Sequence, residues 1–358
     1  PESLDVKPDI PPTDSQPDAP DTSCTSHATC GTHQACVQGA DGTGTCVSTC
    51  VATCPVGWGL MAHDGCHCPT APTGANRCLL PGGFSDCDLD PTAPGYGQDA
   101  WVGKGAVQVT DLGDGRVRDE RTGIEWSKAL HGDKTIAEAR VACQQNLDGL
   151  PGASWDVPGL RAVFSLLDVS PSEDALWPQA AFGSGGSFSV WSTTPAAAGG
   201  GTPFLYADFV HSMIVVSDSA NHLDFRCARG PQPAPAPPQR FLETHEATVI
   251  DTVTGLEWRL ANACALCDWY AALAACIELG QGWRLPDVKE WLSLLNYSPG
   301  GCHRLPEAFG TDCLTYDSAW SSTPLPNGSA LSVDLGVGYF QGRPIEENRS
   351  ARCVRAAP

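Results

Sequence analysis

WDVPGLRAVFSLLD (residues 155–168) and WRLPDVKEWLSLLN (residues 283–296) carry one pattern twice. Each opens on Trp, passes a Pro, and then places apolar side chains at i, i+3, i+4 and i+7: Leu160, Val163, Phe164 and Leu167, mirrored by Val288, Trp291, Leu292 and Leu295. That spacing predicts one apolar helix face in each stretch. Asp287 and Glu290 supply a capping pair in the second stretch only. Further matching blocks flank both stretches in the same order. VRDERTGIEW (117–126) pairs with VIDTVTGLEW (249–258), and VWSTTP (190–195) with AWSSTP (319–324). YADF (206–209) pairs with SVDL (332–335), and FRCAR (225–229) with ARCVR (351–355). Five blocks in one order imply an internal duplication.

Within each copy the first block predicts a β-hairpin, with Gly123 or Gly255 where a positive φ is needed. A helix follows, started by the Thr135/Glu138 capping box in the first copy and by Asp268 in the second. Strands at both ends and two early helices predict an α+β class. Cys143 with Cys227, and Cys276 with Cys353, are the cysteine pair shared by both copies, and each pair would staple a helix to the closing strand. Closing so long a loop is worth about 4 kcal/mol in the chain-entropy model. In the second copy alone, Cys302 and Cys313 are expected to close a loop. Cys264 and Cys267 are expected to form a structural bridge, because the βαβ context of a redox motif is missing.

The 358 residues divide, on this reading, into an acidic Pro-rich disordered tether (1–23), a Cys-rich disulfide module (24–105), a first copy (106–230), a Pro-rich spacer (231–239) and a second copy (240–358). Eighteen cysteines, in even numbers per segment, point to an oxidising compartment, extracellular or on an outer cell surface. Acidic Pro-rich tethers of this kind resemble those behind the lipidated Cys of bacterial surface lipoproteins. A net charge of −20 argues against nucleic acid and anionic membrane partners. No apolar run is long enough for a transmembrane helix.

The repeated blocks Asp-x-x-Thr-Gly-Leu/Ile-x-Trp, Trp-Arg-Leu-Pro with its Ser-Leu-Leu helix, Trp-Ser-Ser/Thr-Thr and the terminal Arg-Cys-Val-Arg resemble the Lcl C-terminal domain family. The first copy departs from the pattern at Asp156–Val157, where the second has Arg284–Leu285. The Cys24–Cys46 spacing is similar to EGF-type repeats. The resemblance implies two C-type-lectin-like domains in tandem and a role in bacterial surface adhesion or ligand binding. A sulfated glycan, the ligand associated with the founding adhesin, is disfavoured by the acidic charge.

No nucleophile elbow, phosphate loop or His-Glu-x-x-His motif occurs, so no catalytic residue is assigned and the chain is read as non-enzymatic. No cofactor is assigned. Calcium could be held only by acidic loops, through Asp312 and Asp317 or Glu346 and Glu347. His63, Cys66, His67 and Cys68 are read as disulfide surroundings and not as a zinc site. The repeated Trp126, Trp155, Trp191, Trp258, Trp283 and Trp320 are expected in the core. Residues not shared by the copies are the candidate ligand contacts: Trp177, Phe188, Phe204 and His211 in the first, and His303, Tyr316, Tyr339, Phe340 and Arg343 in the second. The expected partner is a glycan or protein. The alternative is a structural subunit of an envelope or extracellular assembly, and self-association is left open.

Overall fold

The computed structural model describes residues 23–24, 34–38, 44–48, 68, 70, 72–103, 105–170, 176–183, 189–196, 204–208, 213–230, 240–244, 246–297, 305–309, 318–336 and 338–357. The tether (save Ser23), the Pro-rich spacer, Phe188, His211, His303, Tyr316, Asp312, Asp317, Cys302, Cys313, His63, Cys66 and His67 lie outside them.

The first half runs β1 (Val109–Asp111), β2 (Arg116–Asp119), β3 (Glu125–Ser127), β4 (His131–Lys134), α1 (Ile136–Gln144), α2 (Leu160–Ser165), β5 (Ser189–Pro195), β6 (Phe204–Asp208), β7 (Met213–Ser217), β8 (Leu223–Phe225) and β9 (Ala228–Arg229). The second runs β10 (Phe241–Glu243), β11 (Thr248–Asp251), β12 (Leu256–Arg259), β13 (Cys264–Cys267), α3 (Trp269–Ile277), α4 (Val288–Leu294), β14 (Ser318–Pro324), β15 (Ala330–Asp334), β16 (Tyr339–Arg343), β17 (Arg349–Ala351) and β18 (Val354–Ala356). Each half builds a four-stranded sheet, β9-β3-β2-β1 or β18-β12-β11-β10, and a five-stranded sheet, β7-β6-β5-β8-β4 or β16-β15-β14-β17-β13. Even the bulge repeats, between Trp191 and Pro195 and between Trp320 and Pro324.

Local chemistry explains these elements. Thr135 and Glu138 cap α1 reciprocally, Asp268 accepts the Ala271 N–H at the start of α3, and Asp287 with Glu290 forms a second capping box on α4. Gly123 and Gly255 take φ values of 70° and 65° in the hairpins, where a side chain would be strained. The six repeated Trp residues are buried. Trp191 and Trp320 each donate an indole N–H past the neighbouring strand, β8 or β17, to the outer strand of the five-stranded sheet, at Lys134 O on β4 and Cys267 O on β13. Disulfides join Cys143 to Cys227, Cys276 to Cys353, Cys264 to Cys267 and Cys78 to Cys87.

The expected class is corrected here. Strand accounts for 35% of the structure against 17% helix, so the architecture is mostly β and the α+β, C-type-lectin-like reading does not hold. The helices are short: α2 stops at Ser165 and α4 at Leu294, so Leu167 and Leu295 are buried beyond the helix ends. The remainders, expected to hold short strands between long Gly-rich loops, form the β5–β6–β7 and β14–β15–β16 meanders. The two halves, expected to lie close across a short spacer, share a core: one hydrophobic cluster takes in Trp126, Leu160 and Phe164 from the first half and Trp258, Trp291 and Phe340 from the second.

Residues 72–103 also join this body. Leu79 is buried in a cluster with Trp269 and Leu273. The buried Asp99 carboxylate accepts from Thr73 and from Thr323 on β14, both at 2.7 Å.

Candidate functional site

The two halves meet along α2 and α4, and the meeting is reciprocal. Arg161 and Lys289 hold the same place in the repeated pattern. The Arg161 guanidinium donates to the carbonyls of Ser293 (3.3 Å) and Leu295 (2.8 Å), at the end of α4. The Lys289 ammonium donates to Ser165 O (2.9 Å) at the end of α2, and to Pro72 O. Carbonyls in the last turn of a helix lack intrahelical partners, so a cation there satisfies them and suits the local dipole. This is the isologous logic of a two-fold dimer, written into one chain.

A cleft of about 630 Å³ opens beside this seam, lined by Gly159, Arg161, Thr194, Arg240, Asn296 and Tyr297 among others. Leu160 N donates to Thr194 Oγ1 at 2.9 Å, fixing the start of α2 against the end of β5. Arg240 grips the buried Asp251 carboxylate with two bonds, at 2.8 and 2.6 Å, and donates to Ser293 O at 2.8 Å. Two guanidinium groups therefore converge on one carbonyl. Burial, followed by the nearby Arg240 charge, pushes Arg161 down to about 10. Tyr297 is anchored through its hydroxyl to Gly338 O at 2.9 Å. The guanidinium of Arg240 also lies 4.6 Å from the Phe241 ring centre. The lining joins fixed cations, aromatic rings and an amide, in the size range of small-molecule sites.

The candidate ligand residues are placed differently. Trp177 is buried, stacked on Phe182 at 4.6 Å beneath Arg226. Phe340 is fully buried and lies 5.9 Å from Phe164 across the seam. Phe204, Tyr339 and Arg343 are half-buried on β6 and β16, and Arg343 donates to Gln341. They were chosen as loop residues, but YFQGR (339–343) is a strand whose alternate side chains face the core. None of these five lines the seam cleft. Sequence reading missed Arg161, Arg240, Asn296 and Tyr297. The signal was a cation at the same place beside each apolar helix face, Arg161 and Lys289.

Among the described residues no three His, Cys, Asp or Glu side chains are placed to hold a metal ion. Of the calcium candidates, Glu347 is paired with Arg349. Cys68 is disulfide-bonded. No helix of the described residues is long and apolar enough to cross a membrane.

Residues 247–355 match the Lcl C-terminal domain family. The match is single and covers the second half; it supports neither a second family copy at 106–230 nor an EGF-like N-terminal segment. A search of curated proteins returns no match. The disulfides join this evidence in pointing to a protein that folds in an oxidising compartment, extracellular or secreted.

Proposed function

We propose that this chain is a non-enzymatic binding protein of the bacterial surface or its surroundings, and that it binds its ligand in the cleft between the halves. The observation that carries this reading is the pairing of Arg161 and Arg240 over one carbonyl, beside Tyr297 and Asn296, in a cleft of about 630 Å³. Such a lining suits a short glycan bearing a carboxylate, with ring faces and hydroxyls to contact aromatic and amide groups. A long polyanion is disfavoured by the chain's charge of −20. On this reading the first half (106–230) is a diverged copy of the family domain found in the second, and the acidic segment 1–23 acts as a tether.

Titration with an oligogalacturonate and with a neutral galactan of equal length tests the proposal. Saturable binding of the first, abolished in Asn296→Trp, which fills the cleft, is the expected result. Equal binding of both sugars, or binding by Asn296→Trp at wild-type strength, would overturn it.

A further inference from the structure

The repeat gives the seam cleft a counterpart. Thr194, Arg161, Asn296 and Tyr297, which line the cleft, answer to Thr323, Lys289, Asp168 and Val169 in the repeated blocks and their immediate continuation. The chain lays its own residues over all four counterparts. Lys289 donates to Pro72 O, and Val169 N donates to Thr73 O at 2.7 Å. Gly74 passes so close to the Asp168 carboxylate that any Cβ there would overlap it. Thr323 Oγ1 donates to the Asp99 carboxylate at 2.7 Å. Residues 72–74 and Asp99 are therefore an occupant supplied from within, and they show what the repeated surface holds.

The two threonines are set up alike. Leu160 N donates to Thr194 Oγ1 at 2.9 Å, and Val288 N donates to Thr323 Oγ1 at 3.1 Å. In each case the oxygen accepts from the start of a helix, which leaves the hydroxyl proton to donate elsewhere. Thr323 is fully buried and gives that proton to Asp99. Thr194 is only partly buried and lines the cleft.

Charge separates the two surfaces. Asp287, Glu290 and Asp168 around the inner occupant are replaced by Gly159, Ala162 and Asn296 in the cleft. Arg240 stands where the first half has Gln108; their carbonyls accept the equivalent N–H groups of Thr252 and Glu120. Among the described residues the cleft lining carries Arg161 and Arg240 and no acidic side chain.

We propose that Thr194 is the specificity-determining residue of the cleft: its hydroxyl donates to a carboxylate of the ligand, as Thr323 donates to Asp99. The sugar carrying that carboxylate rests on the reading of the cleft given above; the carboxylate position rests on the internal counterpart. A hydroxyl donating to an ionised acceptor makes one of the stronger hydrogen bonds, and the two guanidinium groups in the lining favour the same charge.

The test titrates the isotope-labelled full chain with acetate, the carboxylate alone, against chloride at equal ionic strength. The amide resonance of Leu160, bonded to Thr194, reports the position. Acetate is expected to shift it saturably in the wild type and in Thr194→Ser, which keeps the hydroxyl. Thr194→Asp keeps an acceptor for the Leu160 N–H but sets a negative charge against the ligand, and is expected to abolish the shift. The same substitution is expected to weaken oligogalacturonate binding at least tenfold. No saturable shift with acetate, or a shift that survives Thr194→Asp, would overturn the proposal. Oligogalacturonate bound by Thr194→Asp at wild-type strength would also overturn it and leave the cleft reading standing. The expected acetate result with no oligogalacturonate binding by the wild type would support the carboxylate position and reject the sugar.

Discussion

The halves share strand order, bulge and disulfide, yet treat one structural problem differently. Asp119 and Asp251 occupy the same place in the hairpin block, and both are buried. Asp251 is held by the guanidinium of Arg240, whereas Asp119 accepts the hydroxyls of Thr122 and Ser165, each at 2.7 Å. The outer sheet face differs too. Leu242 and Ile250 are covered by Val37, while their counterparts Thr110 and Arg118 are polar. A fold specified by matching backbone positions therefore tolerates wholly different side-chain solutions, provided each buried polar group finds a partner.

Removing either long disulfide gives the largest expected effect. Cys143–Cys227 and Cys276–Cys353 span 84 and 77 residues, so Cys→Ala at both members of either pair should cost about 4–5 kcal/mol on the loop-entropy model. Because the halves share a core, calorimetry should show one transition lowered similarly in both variants. Two separate transitions would break the comparison. Next, Arg240→Ala leaves Asp251 buried without its cation and should cost about 3–5 kcal/mol in denaturant melts.

Acid should act on the first half through Glu125. Burial raises this carboxyl, but Arg118, Arg229 and Arg116 together outweigh burial and bring it to about 2. Its contribution is present above the ordinary carboxylate pKa and is lost as pH falls from about 4.5 through about 2. Glu125→Gln should flatten that part of the stability profile. Lys289 shifts in the same direction, in a higher pH window. Burial lowers its ammonium to about 8, against the attraction of Asp119, Asp287, Asp168 and Asp99. The unfolded chain then binds more protons between about pH 8 and 10.5, so stability rises with pH in that window. Subtracting the profile of Lys289→Met should isolate the rise. The smallest effect belongs to Ser165→Ala, about 1 kcal/mol, since Asp119 keeps Thr122.

Sequence alone determined what is local or repeated. The duplication, the hairpin glycines, the capping residues and the buried Trp set all rest on short-range patterns, and in each the physics acts within a few residues or within one repeat. The class was misread because i, i+3, i+4 spacing in a window of about eight residues marks apolar positions without saying where a helix stops, so the helices came out longer and the strands shorter than they are. Tertiary structure alone decided the seam. Arg161 meets Ser293, and Phe164 meets Phe340, across sequence distances that no periodicity encodes. The halves join because each helix end leaves carbonyls unsatisfied and each apolar face needs cover, and the other copy supplies both.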